Sequence, residues 1–320
     1  MKKYISAILL LALSLVSLSG CGGSTASTSA TTQEDSSSLQ VVTSFYAMYD
    51  FAQKVGGDSV TITNLVPAGT EPHDWEPTAS DIVTLETADV FIYNGAGMEH
   101  WVEDVLDSLD NQDLLLVEAS QGLTLLQGHS HEEDTEDTGE DTEEETTDSH
   151  VWLDPENAKY EMNAIKEAFV SADAANAEQY ESNYSEYSAK FDALDEAFST
   201  QLAPYKDASI IVAHEAFGYL CAAYQLNQEG IEGLSPDSEP DAARMEEIIT
   251  FAKEHNVTTI FFEELVSPKV AETIADELDA KTAVLNPIEG LTQEDLDAGK
   301  EYISIMEENL KALVAALSGE

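Results

Sequence analysis

Three histidines and one carboxylate sit in settings that suit metal ligation. His73 lies in Thr70-Glu71-Pro72-His73-Asp74-Trp75-Glu76-Pro77, between two prolines and just after an apolar, β-prone run at residues 60–66. His150 lies in Ser149-His150-Val151-Trp152-Leu153-Asp154-Pro155, and His214 in Val212-Ala213-His214-Glu215-Ala216-Phe217-Gly218-Tyr219. Glu289 lies in Asn286-Pro287-Ile288-Glu289-Gly290. Each ends a strand-like run or leaves a loop, beside a Pro, a Gly or an aromatic residue. Proline fixes φ and lacks an N–H, so it stiffens a loop that must hold a ligand atom still. Three imidazoles and one carboxylate make a four-coordinate donor set suited to zinc. The donors are separated by tens of residues, unlike the close spacing of a zinc finger. Such a set closes only if two parts of the chain face each other across a cleft.

The elements that would carry these residues alternate. Residues 40–45 read as a strand and 46–55 as a helix stopped by Gly56-Gly57. A second strand ends before the His73 loop. Thr78, with Asp81 three residues on, reads as a capping box that starts the next helix. Strands at 89–94 and 114–117 flank a helical period at 99–109. Strands alternating with helices imply a parallel sheet, which binds ligands at the carboxyl ends of its strands. After Pro155 come helical segments at 156–172 and 176–202. The second carries Tyr180, Tyr184, Tyr187, Phe191, Leu194, Phe198 and Leu202 in steps of three and four, a core stripe. A further alternation follows: a strand at 208–213 ending at His214, a helix at 245–255, a strand at 257–262, a helix at 268–278, a strand at 282–285 and a last amphipathic helix. The expected fold is α/β, with two Rossmann-like lobes at 39–154 and 205–320 joined by a helical bridge at 155–204. The metal site would lie in the interlobe cleft.

The chain has 320 residues, and 13 Lys and Arg against 63 Asp and Glu give a net charge of −50. That excludes nucleic acid as a partner, because phosphate binding needs a basic surface. It suits a protein that handles cations. Lys2-Lys3 followed by an apolar run at 5–18 reads as a secretory signal peptide over residues 1–20. Leu18-Ser19-Gly20-Cys21 resembles the lipobox of bacterial lipoproteins, which implies lipidation of Cys21. The Gly-, Ser- and Thr-rich stretch at 21–38 is then a flexible tether. With Cys21 modified only Cys221 is left, so no intramolecular disulfide is possible; its apolar surroundings mark it as a core side chain. Residues 132–149 hold eleven Asp or Glu and no Lys or Arg, so they read as a solvated loop, with His129 and His131 at its entrance.

Several motifs together resemble the zinc- and manganese-binding lipoproteins of ABC importers. They are Leu65-Val66-Pro67-Ala68-Gly69-Thr70-Glu71-Pro72-His73-Asp74, His150-Val151-Trp152-Leu153-Asp154-Pro155 and His214-Glu215-Ala216-Phe217-Gly218-Tyr219. Gly233-Leu234-Ser235-Pro236-Asp237-Ser238-Glu239-Pro240 and Phe261-Phe262-Glu263-Glu264 add to them, in order, over residues 40 to 318. The resemblance implies two lobes on a rigid long helix, a metal held between them, and delivery to a membrane permease with its ATPase. It maps the metal ligands onto His73, His150, His214 and Glu289. His214 stands where the manganese branch usually has a carboxylate, and Glu289 where that branch has an Asp, so the resemblance points to zinc rather than manganese. It implies a non-enzymatic, monomeric binding protein, anchored through Cys21 to the outer face of the cell membrane. The acidic loop departs from the zinc branch, which is usually histidine-rich there.

Other polar residues carry blander readings. Glu71 and Asp74 orient the loop or cap the next helix. Glu239 and Glu263 are candidates to accept a ligand imidazole N–H, or lie at the surface with Glu76 and Glu264. His100 and His255 read as structural or surface residues. The rivals are a manganese-binding homologue, an adhesin of the same fold, and a zinc hydrolase using Glu215 as base. The hydrolase reading lacks a His-Glu-x-x-His helix and needs an open coordination position.

Overall fold

The computed structural model describes residues 38–128, 147–236 and 240–319. The expected signal peptide, Cys21, the tether, His129, His131, most of the acidic loop and Glu239 lie outside the described residues.

The first lobe begins β1 (Leu39–Thr43), α1 (Tyr46–Gly56), β2 (Val60–Asn64) and α2 (Ala79–Leu85). It continues through β3 (Val90–Tyr93), α3 (Val102–Ser108) and β4 (Leu115–Glu118). Its sheet runs β2-β1-β3-β4, and all pairs are parallel. The central strands are mostly apolar and buried, with Gln40 the one exposed residue of β1, as a parallel sheet covered on both faces requires. Thr78 N–H donates to the Asp81 carboxylate at 2.7 Å, closing the expected capping box at the head of α2.

Two helices follow, α4 (Pro155–Ala172) and α5 (Ala177–Leu202). Asp154 caps α4 by accepting from the Glu156 N–H, and Pro155 occupies its first turn. The 26 residues of α5 span about 39 Å. Along its length Tyr180, Phe191, Leu194, Phe198 and Leu202 are buried, and Tyr184 and Tyr187 pack on the same cluster. The helix contacts α1 of the first lobe and two helices of the second, so one apolar stripe serves both lobes.

The second lobe comprises β5 (Ser209–Val212), α6 (Gly218–Tyr224), β6 (Asn227–Gly230), α7 (Ala242–His255), β7 (Thr259–Phe262), α8 (Lys269–Leu278), β8 (Lys281–Val284), α9 (Gln293–Asp297) and α10 (Tyr302–Ser318). Its sheet, β6-β5-β7-β8, is again parallel and repeats the order of the first by position. Sequence reading omits β6 and α6. β6 is Asn-Gln-Glu-Gly, an edge strand with no apolar alternation, and it is made by its ladder to β5 rather than by its own propensity. The C-terminal segment holds its expected amphipathic helix as α10, preceded by the short α9, with a turn at Gly299, φ +74°, between them. No helix among the described residues is long and apolar enough to cross a membrane.

Candidate metal centre

All four candidate donors follow the carboxyl ends of strands. His73 is on the loop after β2, His150 just before a short 3-10 turn (Val151–Leu153) that follows β4, His214 two residues after β5, and Glu289 beyond β8. The carboxyl ends of the two sheets face one another, and the four side chains meet between them, with one ligating atom from each within 4.8 Å of the others. His150 Nε2 lies 3.2 Å from His73 Nε2 and 3.3 Å from His214 Nε2. Glu289 Oε1 lies 3.5, 3.0 and 3.2 Å from the Nε2 atoms of His73, His150 and His214.

Those separations fit one ion. A regular tetrahedron with donors about 2.0–2.1 Å from its centre has edges of about 3.3–3.4 Å. The five distances straddle that value. Glu289 Oε1 is buried and close to three nitrogens, but no aligned hydrogen bond satisfies it. An acceptor aimed at a shared centre, with imidazole lone pairs converging on the same point, is what a cation would satisfy.

Each histidine is held from behind. His214 Nδ1 is 2.6 Å from Glu263 Oε1, and Glu263 is buried at the end of β7. His150 Nδ1 is 2.8 Å from Asp148 Oδ1, which also accepts the His150 backbone N–H at 2.9 Å. Both contacts fix the tautomer that leaves Nε2 free for metal. His73 Nδ1 has only Ser235 Oγ, at 3.5 Å. Its backbone is held instead: the Glu71 carboxylate accepts the His73 N–H at 3.0 and 3.1 Å. Trp75 packs edge-on against Trp101 at 5.4 Å, which ties the loop to the first-lobe core.

Asp148 corrects the reading of residues 132–149 as solvated throughout. Asp148 and Ser149 are buried, and the end of the segment is tied down. Gln127 and Thr147 form an antiparallel bridge, and Tyr219 Oη donates to the Asp148 carbonyl at 2.9 Å. The run of acids hid the signal, which was an Asp two residues before a candidate ligand. Glu263 is a partner of a ligand imidazole, as one of its two readings had it. Glu264 accepts from Asn286 Nδ2 at 2.9 Å and so steadies the Glu289 loop. Asp74 and Glu76 are exposed. His100 is half-exposed, and His255 stacks on Phe251 at 4.1 Å near the end of α7. Cys221 is buried, and burial pushes its thiol up to about 12.

The Glu289 loop is the most constrained part of the site. Ile288 has φ +60°, unusual for a β-branched residue and costing on the order of 1–3 kcal/mol. Its N–H donates to Asn286 Oδ1 at 2.8 Å, and Trp152 Nε1 donates to the Pro287 carbonyl at 2.8 Å. Gly290 sits where a Cβ would meet the Thr70 carbonyl at 3.1 Å, so the two lobes touch through backbone there. Gly69 N–H donates to the Leu291 carbonyl at 2.8 Å across the same seam.

The electrostatics follow from this crowding. Burial opposes charge on His214, but Glu263 and Glu289 outweigh it and hold the imidazole well above its ordinary value. Burial likewise opposes charge on His150, and the Asp148 contact and the adjacent Glu289 carboxylate raise it. Burial would raise Glu289, but the His214 and His73 imidazoles and the contacts to His150 and His214 hold it well below. Burial, with Glu289 nearby, pushes Glu71 up to about 7.

Comparison with known proteins gives a consistent picture. The family described as zinc-uptake complex component A, periplasmic (ZnuA), matches residues 41–316. The high-affinity zinc uptake system protein ZnuA of Bacillus subtilis is 42% identical over 317 residues, 99% of each chain. The crystal structure of the Zn(II)-bound ZnuA-like domain of Streptococcus pneumoniae AdcA is 38% identical with TM-score 0.75, covering 88% of this chain and 99% of that one. The laminin-binding protein Lmb of Streptococcus agalactiae, described as having adhesin and metal transporting activity, is 30% identical with TM-score 0.77, covering 88% and 100%.

Proposed function

The chain belongs to the zinc-uptake complex component A family, and from that membership we propose that it captures zinc outside the cytoplasm and delivers it to an ABC permease. The observation that carries the reading is the cage: three Nε2 atoms and one carboxylate oxygen, five of their six pairs separated by 3.0–3.5 Å and all within 4.8 Å. The metal is cargo, with His73, His150, His214 and Glu289 as its ligands. Imidazole donors favour zinc over manganese, which prefers oxygen shells. The filled tetrahedron supports binding rather than hydrolysis, since metal-assisted hydrolysis needs an exchangeable water. The protein works as a monomer. Residues 1–20 direct export, and a lipid on Cys21 anchors it at the membrane while residues 22–38 span the distance to the folded part.

Native mass spectrometry of the purified protein, with zinc and manganese competing, tests the assignment. One zinc per chain, retained against excess manganese, is expected. Manganese retained in preference, or neither metal retained, would sink the reading. For the anchor, Cys21→Ser should release the protein into the medium; continued membrane association would remove the lipid.

A further inference from the structure

The neck of the acidic segment carries an irregular strand pair. Gln127 and Thr147 form an antiparallel bridge, and the next pair in that register is Leu126 with Asp148. Asp148 N–H donates to the Leu126 carbonyl at 2.9 Å. A regular pair would return a bond from the Leu126 N–H to the Asp148 carbonyl. A side chain from the other lobe is spliced into that return bond. Tyr219 Oη accepts the Leu126 N–H at 2.9 Å and donates to the Asp148 carbonyl at 2.9 Å. Tyr219 is buried on α6, and burial pushes its phenol up to about 12, so it keeps the proton it donates. The residue before it also meets Asp148, whose Oδ2 occupies the space that a Cβ on Gly218 would take. The start of α6 is itself held, with the Phe217 N–H donating to Gln228 Oε1 on β6 at 2.9 Å.

We propose that Tyr219 is a positioning residue for the metal ligand His150, acting from the second lobe through Asp148. The inference rests on the zinc-capture reading above. Asp148 Oδ1 lies 2.8 Å from His150 Nδ1 and accepts the His150 backbone N–H at 2.9 Å. Anchoring the Asp148 carbonyl and confining Oδ2 fixes where Oδ1 points, and Oδ1 in turn aims Nε2 of the imidazole at the cage. His214 differs, because its partner Glu263 belongs to its own lobe. A first-lobe ligand is thus oriented from the second lobe, and contact between the lobes at α6 is part of what holds His150.

Nuclear magnetic resonance of the metal-free protein, labelled with 15N in histidine, reads the His150 Nδ1–H directly, with His214 as internal control. Tyr219→Phe removes the hydroxyl and keeps the ring. Gly218→Ala keeps the hydroxyl and displaces Oδ2. Each should move or broaden the His150 signal and leave that of His214 in place. Each should also lower zinc affinity by about tenfold or more in chelator competition. In an Asp148→Ala background, Tyr219→Phe should cost no more than about twofold in addition, because its effect runs through Asp148. An unmoved His150 signal in both variants would overturn the proposal. So would equal shifts at His150 and His214, or the full loss of Tyr219→Phe added to that of Asp148→Ala. Failure of the zinc reading shows separately, as absent zinc binding by the wild-type protein beside a His150 signal that still responds.

Discussion

Glu263 and Asp148 act on the metal position only through another side chain, and that sets what their loss should do. Glu263→Gln and Asp148→Asn keep volume but weaken the grip on Nδ1, so each should lower zinc affinity by roughly 10–100-fold. His214→Ala removes a donor and should cost more than either. Ser235→Ala should change little, because 3.5 Å is at the limit of a hydrogen bond. Chelator competition titrations rank the four; an ordering with Ser235 above Glu263 would contradict the geometry. The imidazoles must be neutral to bind metal, and His214 and His150 hold their protons above the ordinary value near 6.5. Zinc must therefore expel protons from the cage, and its affinity should fall as pH drops, beginning above that value. Affinity independent of pH between about 6 and 8 would refute this.

At the scale of elements, the junction is organised by Trp152 and the loop it holds. Its ring packs against Phe45 at 4.9 Å and His150 at 5.3 Å, and Tyr302 Oη donates to its carbonyl at 2.5 Å. One residue thus connects the His150 turn, the first-lobe core, α10 and the Glu289 loop. Trp152→Phe keeps an aromatic ring but leaves the Pro287 carbonyl without its donor. A loss of about 1–3 kcal/mol in stability by denaturant unfolding is expected, together with weaker zinc binding as the strained Ile288 backbone relaxes. Wild-type stability and affinity would show that the loop is held by other contacts. The α4 and α5 segments were legible in the sequence because caps and a long apolar stripe mark them. β6 was not, since three polar residues and a glycine become a strand only when β5 offers a partner.

For the whole molecule, the interlobe core contains one carboxylate that its chemistry does not explain. Glu161 on α4 is fully buried, and neither of its oxygens has a hydrogen-bond partner. Burial first, and then the nearby Glu99 charge, raise its pKa well above the ordinary value. With the folded pKa above the unfolded one, its contribution to stability is full below the unfolded value and is lost as pH rises through the folded value. Glu161→Gln should therefore raise Tm at neutral and alkaline pH by at least a few degrees, and the gain should shrink toward pH 4 to 5. A gain that grows on acidification would reverse the assignment. Zinc should stabilise the two-lobe unit by mass action, by about 4 kcal/mol at a thousandfold excess over Kd. Calorimetry with and without the metal reads that shift, and its disappearance in His214→Ala would tie it to the cage.

The sequence by itself determined the donor types, the rigid loops that carry them and the α/β alternation, because each is written in neighbouring residues. It also determined a charge balance unsuited to nucleic acid and suited to a cation. The tertiary structure alone decided that four donors tens of residues apart meet at tetrahedral spacing, since that depends on how two sheets face each other along α4 and α5. It decided that Asp148, within an acidic run, is buried behind His150, and that Glu71 holds the His73 backbone. These are relations between segments distant in the chain, and local propensity carries no term for them.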